Sequence, residues 1–191
     1  MKQFKISTLV MCCLAAMSFT LLVSTVLCSC SKDEEYNPQP SSTILNSLLV
    51  SISESGKPIN YEEMLANKEF SVIEKVSKRE AKIDITDYER TKVFRFSVDL
   101  PDINSMVFNK DRTEASGKVS LAMNIKGTKL PMHVNFSFTS SKDAMHMYGG
   151  NCIRIKSIEY DNKTIYPTEK MGINSIKIKY DGNNTIIEPL F

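Results

Sequence analysis

The chain has 191 residues, 42% of them hydrophobic and 24% charged, with no tryptophan and a formal net charge of +2. This ordinary globular composition excludes wholesale disorder, a collagen-like repeat and a disulfide-dense scaffold, and the length suits one domain of comfortable size. Of the 24 Lys and Arg, only Lys2 and Lys5 precede residue 30, whereas all 22 Asp and Glu follow it. The remainder is formally neutral, with no long-range field to gather nucleic acid or a strongly acidic substrate.

The N-terminus reads as an address. Met1–Lys5 is a short positive segment, and Ile6 to Leu27 is uncharged and mostly apolar, the layout of an export signal. Its length would also serve a membrane-spanning anchor, so the end of the segment decides. That end is Leu27-Cys28-Ser29-Cys30, which resembles the lipobox of bacterial lipoproteins, with Leu at −3, a small residue at −1 and the modified Cys at +1. The resemblance implies that residues 1–29 are a signal peptide removed by a lipoprotein signal peptidase. Cys30 would carry a diacylglyceryl group and an acylated amine. Two or more buried acyl chains hold a protein stably on a membrane without spanning it. Lys32, Asp33, Glu34 and Glu35 follow at once. This cluster resembles the surface-export signal of Bacteroidetes-type lipoproteins, and Ser31 resembles an outer-membrane sorting residue. The implied home is the outer membrane, at the cell surface or, alternatively, on the periplasmic face; a charge run alone also fits a solvated tether.

Residues 30–42 comprise the lipidated Cys and a polar, Pro-containing linker. Twelve such residues reach roughly 35 to 40 Å, enough to lift a domain clear of lipid head groups. Residues 43–191 are then a single domain, in which the strongest periodicity is two. Ile44 to Ser53 reads as a buried strand stopped by Gly56-Lys57-Pro58. Asn60 to Asn67 reads as a short helix, with Asn60 as cap and Glu62 and Glu63 in its first turn. Phe70 to Val76 and Lys82 to Thr86 are short strand candidates. Phe94, Phe96, Val98 and Leu100 alternate with polar residues, Val93 apart. So do Val119, Leu121, Met123 and Ile125, and then Leu130, Met132, Val134, Phe136 and Phe138. The last two runs form a hairpin around Gly127-Thr128-Lys129. A second hairpin joins Ile153–Tyr160 to Thr164–Tyr166 through Asp161-Asn162. A third joins Ser175–Tyr180 to Thr185–Leu190, and Pro189 marks its last strand as an edge. The expected fold is mainly β: an antiparallel two-sheet β-sandwich with one short helix, a small β-barrel being the alternative.

Few residues offer chemistry. His133 follows Met132, and His146 lies between Met145 and Met147, soft ligands that would suit Cu(I) if they converged with Cys152. On a strand, however, Met132 and His133 point apart. The loop Ser140–Gly150 presents Met145, His146, Met147 and Tyr148 as a possible contact patch. The carboxylates Glu62-Glu63, Asp84 with Asp87, and Asp99 with Asp102 read as solvated surface. Arg154 and Lys156, with Lys177 and Lys179, would form a basic stripe if they shared one sheet face. No phosphate loop, GxSxG elbow or HExxH occurs, so no catalytic residue, metal or cofactor is expected. The expected role is a binding or envelope-assembly module for a protein or glycan ligand. The alternatives are a small secreted hydrolase, a metal-binding protein, or a structural subunit of a surface complex.

Overall fold

The computed structural model describes residues 42–140, 150–182 and 184–191. Fourteen strands succeed one another along these residues: β1 (Ser42–Leu45), β2 (Ser47–Glu54), β3 (Lys57–Pro58), β4 (Phe70–Glu74), β5 (Asp84–Tyr88), β6 (Thr91–Ser97) and β7 (Val107–Phe108), then β8 (Glu114–Ile125), β9 (Thr128–Ser140), β10 (Asn151–Tyr160), β11 (Lys163–Ile165), β12 (Thr168–Lys170), β13 (Ile173–Tyr180) and β14 (Thr185–Pro189). One helix, α1 (Tyr61–Ala66), lies between β3 and β4, and a 3-10 turn covers Ile103–Ser105.

The strands form two sheets. Sheet A has the order β1-β10-β9-β8-β4, with β11 beside β10 and β7 beside β8. Sheet B has the order β12-β13-β2-β6-β5, with β14 beside β13 and β3 beside β2. The expected mainly β sandwich is therefore present, and its alternative, a closed barrel, is not: each sheet ends in edge strands. The expectation of purely antiparallel sheets is corrected at two places. β1 runs parallel to β10, with Ser42 opposite Asn151, and β2 runs parallel to β13, with Leu48 opposite Asn174. Parallel neighbours need long connections, and here the intervening strands of both sheets supply them.

The inner face of each sheet follows the period of two. Leu48, Val50, Ile52, Phe94, Phe96, Ile176 and Ile178 from sheet B meet Val72, Val119, Leu121, Met123, Ile125, Leu130, Met132, Val134 and Phe136 from sheet A, all buried in one core. Fully burying each such side chain contributes about 1.5–3 kcal/mol. On β10 the register against β9 shifts between Ile155 and Ser157. The extra residue, Lys156, is a bulge that lets Ile155 and Ile158, three apart, both face the core.

The hairpin of β8 and β9 turns on Lys126 and Gly127, both at positive φ, one step earlier than the expected Gly127-Thr128-Lys129. The hairpin at Asp161-Asn162 forms as expected, and β14 pairs with β13 alone, which makes it the edge that Pro189 requires. The run Ile44–Ser53 breaks at Asn46 into β1 of sheet A and β2 of sheet B. Asn46 fixes the crossing, its Nδ2 donating to the Val98 carbonyl at 2.7 Å and its own carbonyl accepting from Val98 N–H at 3.0 Å.

Helix α1 forms as expected. The Glu63 N–H donates to Asn60 Oδ1 at 3.2 Å, and Asn60 Nδ2 returns a bond to the Glu63 carboxylate at 3.2 Å. Tyr61 and Met64, one turn apart, are its buried residues. The Tyr61 ring meets Phe94 edge-on at 4.9 Å, and Phe94 stacks on Phe70 at 4.1 Å.

Two expectations about β6 are corrected. Val93 is fully buried rather than outward and exposed, and Leu100 is 41% exposed rather than inward. Pairing of β6 with β2 ends at Phe94 opposite Val50. Beyond it β6 parts from β2, and the tip of the β5–β6 hairpin meets the far end of sheet B, where Tyr88 lies 6.3 Å from the Phe191 ring and Glu89 pairs with Lys170. Its side of the sheet carries Leu49, Val93 and Ser175, buried although they alternate with the inner-core positions.

Candidate functional site

Cys30, the cluster Lys32, Asp33, Glu34 and Glu35, and the loop residues Met145, His146, Met147 and Tyr148 lie outside the described residues. The other candidates are dispersed. Met132 sits in the core at 1% exposure, while His133 faces outward from the same strand, its Nδ1 2.8 Å from Ser120 Oγ. His133 belongs to a polar row across the outer face of sheet A. There Lys118 Nζ donates to Glu159 at 2.9 Å, and Asn135 Nδ2 donates to both Glu159 (2.9 Å) and Ser157 Oγ (3.1 Å). The Lys118 ammonium, seconded by Asn135, holds the Glu159 carboxyl below the usual carboxylate range.

Each proposed carboxylate pair is separated by its partners. Glu62 pairs with Lys92 and Asp99 with Arg79, Asp84 lies 3.7 Å from Lys82, and Asp102 caps the 3-10 turn by accepting from Asn104 N–H at 2.8 Å. The hydrogen bond from Lys92 holds the Glu62 carboxyl below the usual carboxylate range, the opposite of the raised pKa a general acid needs. Cys152 is buried and free, and burial pushes its thiol above the ordinary range. Its position gives it the character of a small hydrophobe. Among the described residues no three His, Cys, Asp or Glu side chains converge as a metal site.

The basic stripe is corrected. Arg154 and Lys156 belong to sheet A, Lys177 and Lys179 to sheet B, and two of the four are paired, Arg154 with Glu169 at 3.7 Å and Lys179 with Glu188 at 2.7 Å. Alternation along a strand shows which side chains share a face, but it does not show which sheet the strand joins.

Among the described residues a cleft of about 780 Å³ beside α1 is lined by Ser51, Tyr61, Arg90, Thr91 and Lys177, and two more open against sheet A. The first of these two, about 700 Å³, lies where β4 and the β4–β5 connection meet the end of β6. Val72, Phe96, Val98, Val119 and Leu121 form its floor, and the Arg79–Asp99 ion pair stands at its mouth. The second, about 610 Å³, lies against β8, β9 and β10 and extends to the β11–β12 connection. Ser116, Ser137 and Arg154 are neighbours in register across these three strands and share one face. Thr139 lies beside them, Glu169 reaches in from β12, and Tyr166 stands at the rim with 63% of its surface exposed.

Of this second group the sequence marked only Arg154 and Lys156. The alternation of β9 showed Ser137 as an outward polar residue, but nothing local set it or Ser116 beside Arg154, Tyr166 or Glu169. That neighbourhood is created by the order of strands in sheet A and by the crossing from β11 to β12.

The fold thus defines a two-sheet, mainly β sandwich with open clefts. The chain matches no protein-family model, no curated protein and no solved structure.

Proposed function

We propose that this chain is a lipid-anchored lipoprotein of the outer membrane, displayed at the cell surface, whose β-sandwich serves as a non-catalytic binding or envelope-assembly module. The observation that carries the proposal is the succession of N-terminal sequence features: Lys2 and Lys5, the apolar run to Leu27, then Leu27-Cys28-Ser29-Cys30 and a polar tether. Among the described residues the first strand begins at Ser42, twelve positions after Cys30. Acyl chains on Cys30 would fix the chain to the bilayer at about 0.8 kcal/mol per buried CH₂. The sandwich contributes clefts of small-molecule size on a rigid frame. Glu62, Asp99 and Asp102 are engaged in structural contacts and Cys152 is buried, which supports binding over hydrolysis.

Cell fractionation tests the anchor. The wild-type chain is expected in the membrane fraction and Cys30→Ala in the soluble extracytoplasmic fraction; membrane association of Cys30→Ala overturns the lipoprotein reading. Protease added to intact cells tests display. The domain should be digested, and alanines in place of Lys32, Asp33, Glu34 and Glu35 should protect it.

A further inference from the structure

We infer that the cleft against β8, β9 and β10 is a binding site for a neutral saccharide, an inference that rests on reading the domain as a binding module. Its volume of about 610 Å³ falls within the roughly 300–1,000 Å³ of small-molecule sites. β8, β9 and β10 are interior strands of sheet A, paired on both sides, so an extended peptide cannot add to their backbones and recognition must run through side chains.

Those side chains have three properties. Ser116 and Ser137 stand in register on adjacent strands, about 4.8 Å apart in the pairing direction, with Thr139 close by. None of these hydroxyls is taken up by another side chain among the described residues, which leaves a comb of free donors and acceptors. Arg154 and Glu169 meet at 3.7 Å, beyond hydrogen-bond range. The ion pair is loose, so its guanidinium donors and carboxylate lone pairs keep the capacity to bracket neighbouring hydroxyls. With Lys156 and Glu114 the lining holds two basic and two acidic residues, so it selects neither anions nor cations. Finally, Tyr166 offers an exposed ring at the rim beside Pro167, a flat apolar surface with a polar tip. A ligand that is neutral, rich in vicinal hydroxyls and apolar on one C–H face matches all three, and a pyranose has that chemistry. The clefts at the end of β6 and beside α1 lack the combination, since the rings that line them, Phe96 and Tyr61, are buried.

The test is calorimetric titration of the full-length lipoprotein in a detergent without sugar head groups. The probes are neutral oligosaccharides built on glucose, galactose, mannose and N-acetylglucosamine, with sulfated and sialylated counterparts. At least one neutral oligosaccharide is expected to bind with a sub-millimolar Kd. Tyr166→Ala and Arg154→Ala should each weaken it tenfold or more, whereas Arg79→Ala, at the cleft by the end of β6, should leave it unchanged. Circular dichroism of each variant confirms that the fold is kept. Absence of binding by every neutral probe, binding of acidic probes alone, or affinity that survives both cleft substitutions overturns the assignment. None of these results touches the lipid-anchor reading, which stands or falls on the fractionation of Cys30→Ala.

Discussion

At Ile52 strand β2 has no strand partner on its β6 side, because β6 has already turned away. The hydroxyl of Tyr61 replaces it, accepting from the Ile52 N–H at 2.9 Å and donating to the Ile52 carbonyl at 3.3 Å. Tyr88 is the contrasting case: its hydroxyl is buried without a hydrogen-bond partner among the described residues. Leaving a buried polar group unpaired costs about 1–3 kcal/mol. Tyr61→Phe is therefore expected to lower stability by about that amount, and Tyr88→Phe to raise it by about 1 kcal/mol. Urea unfolding of the two variants, with unchanged slopes, checks both signs. Glu159 carries the pH dependence at this scale. Its carboxyl lies below the usual value because Lys118 and Asn135 hold it charged. A depressed folded pKa contributes stability that is full above the unfolded value of about 4.3 and lost as pH falls through the folded one. The carboxyl carbon should titrate below about 4.3 by NMR, and Lys118→Ala should move its midpoint upward. The pair is well exposed, so salt should weaken the effect.

The hairpins show what a strand element takes from its own residues. Lys126-Gly127, Asp161-Asn162 and Met171-Gly172 all turn with two residues at positive φ, the mirror-image turns that suit twisted strands. Gly and Asn advertise such turns in the sequence. Glu89 and Arg90, at φ 48° and 67°, make the β5–β6 turn with neither, and the alternation alone gave no sign of it. A non-glycine residue in the left-handed region costs about 1–2 kcal/mol, while glycine's extra unfolded-state freedom offsets about 0.5–1 kcal/mol. Arg90→Gly is expected to gain up to about 1 kcal/mol in thermal or urea unfolding. Glu89 is better left in place, since it holds Lys170 across the sheet. The close approach of the β6–β8 connection was equally silent in the sequence. A Cβ on Gly117 would lie 2.6 Å from the Pro101 ring, a contact between residues that no local pattern relates.

Over the whole molecule, long-range pairing dominates. Leu48 pairs beside Asn174, Ser42 beside Asn151, and Phe70 opposite Ile125. Such contacts close long loops before they return any stabilisation, which slows folding. Refolding from urea is expected on the millisecond-to-second scale of non-local β domains rather than the microsecond scale of helical bundles. Stopped-flow tyrosine fluorescence can follow it, since the chain has seven tyrosines and no tryptophan. A sub-millisecond phase carrying the whole amplitude would contradict this.

Local regularities reached the amino-acid pattern directly. The faces of β8 and β9, the capped helix at Asn60, the hairpin at Asp161-Asn162 and the edge strand ending in Pro189 are each written in neighbouring residues, because side-chain alternation, caps and turns depend on contacts a few positions apart. What the chain could not show by itself was decided by tertiary structure: the split of Ile44–Ser53 between sheets at Asn46, the two parallel pairings, the departure of β6 from β2, and the meeting of Ser116, Ser137, Arg154, Tyr166 and Glu169. Those arrangements depend on which strands become neighbours, and that choice is made by burial of the common core, to which residues more than a hundred positions apart contribute at once.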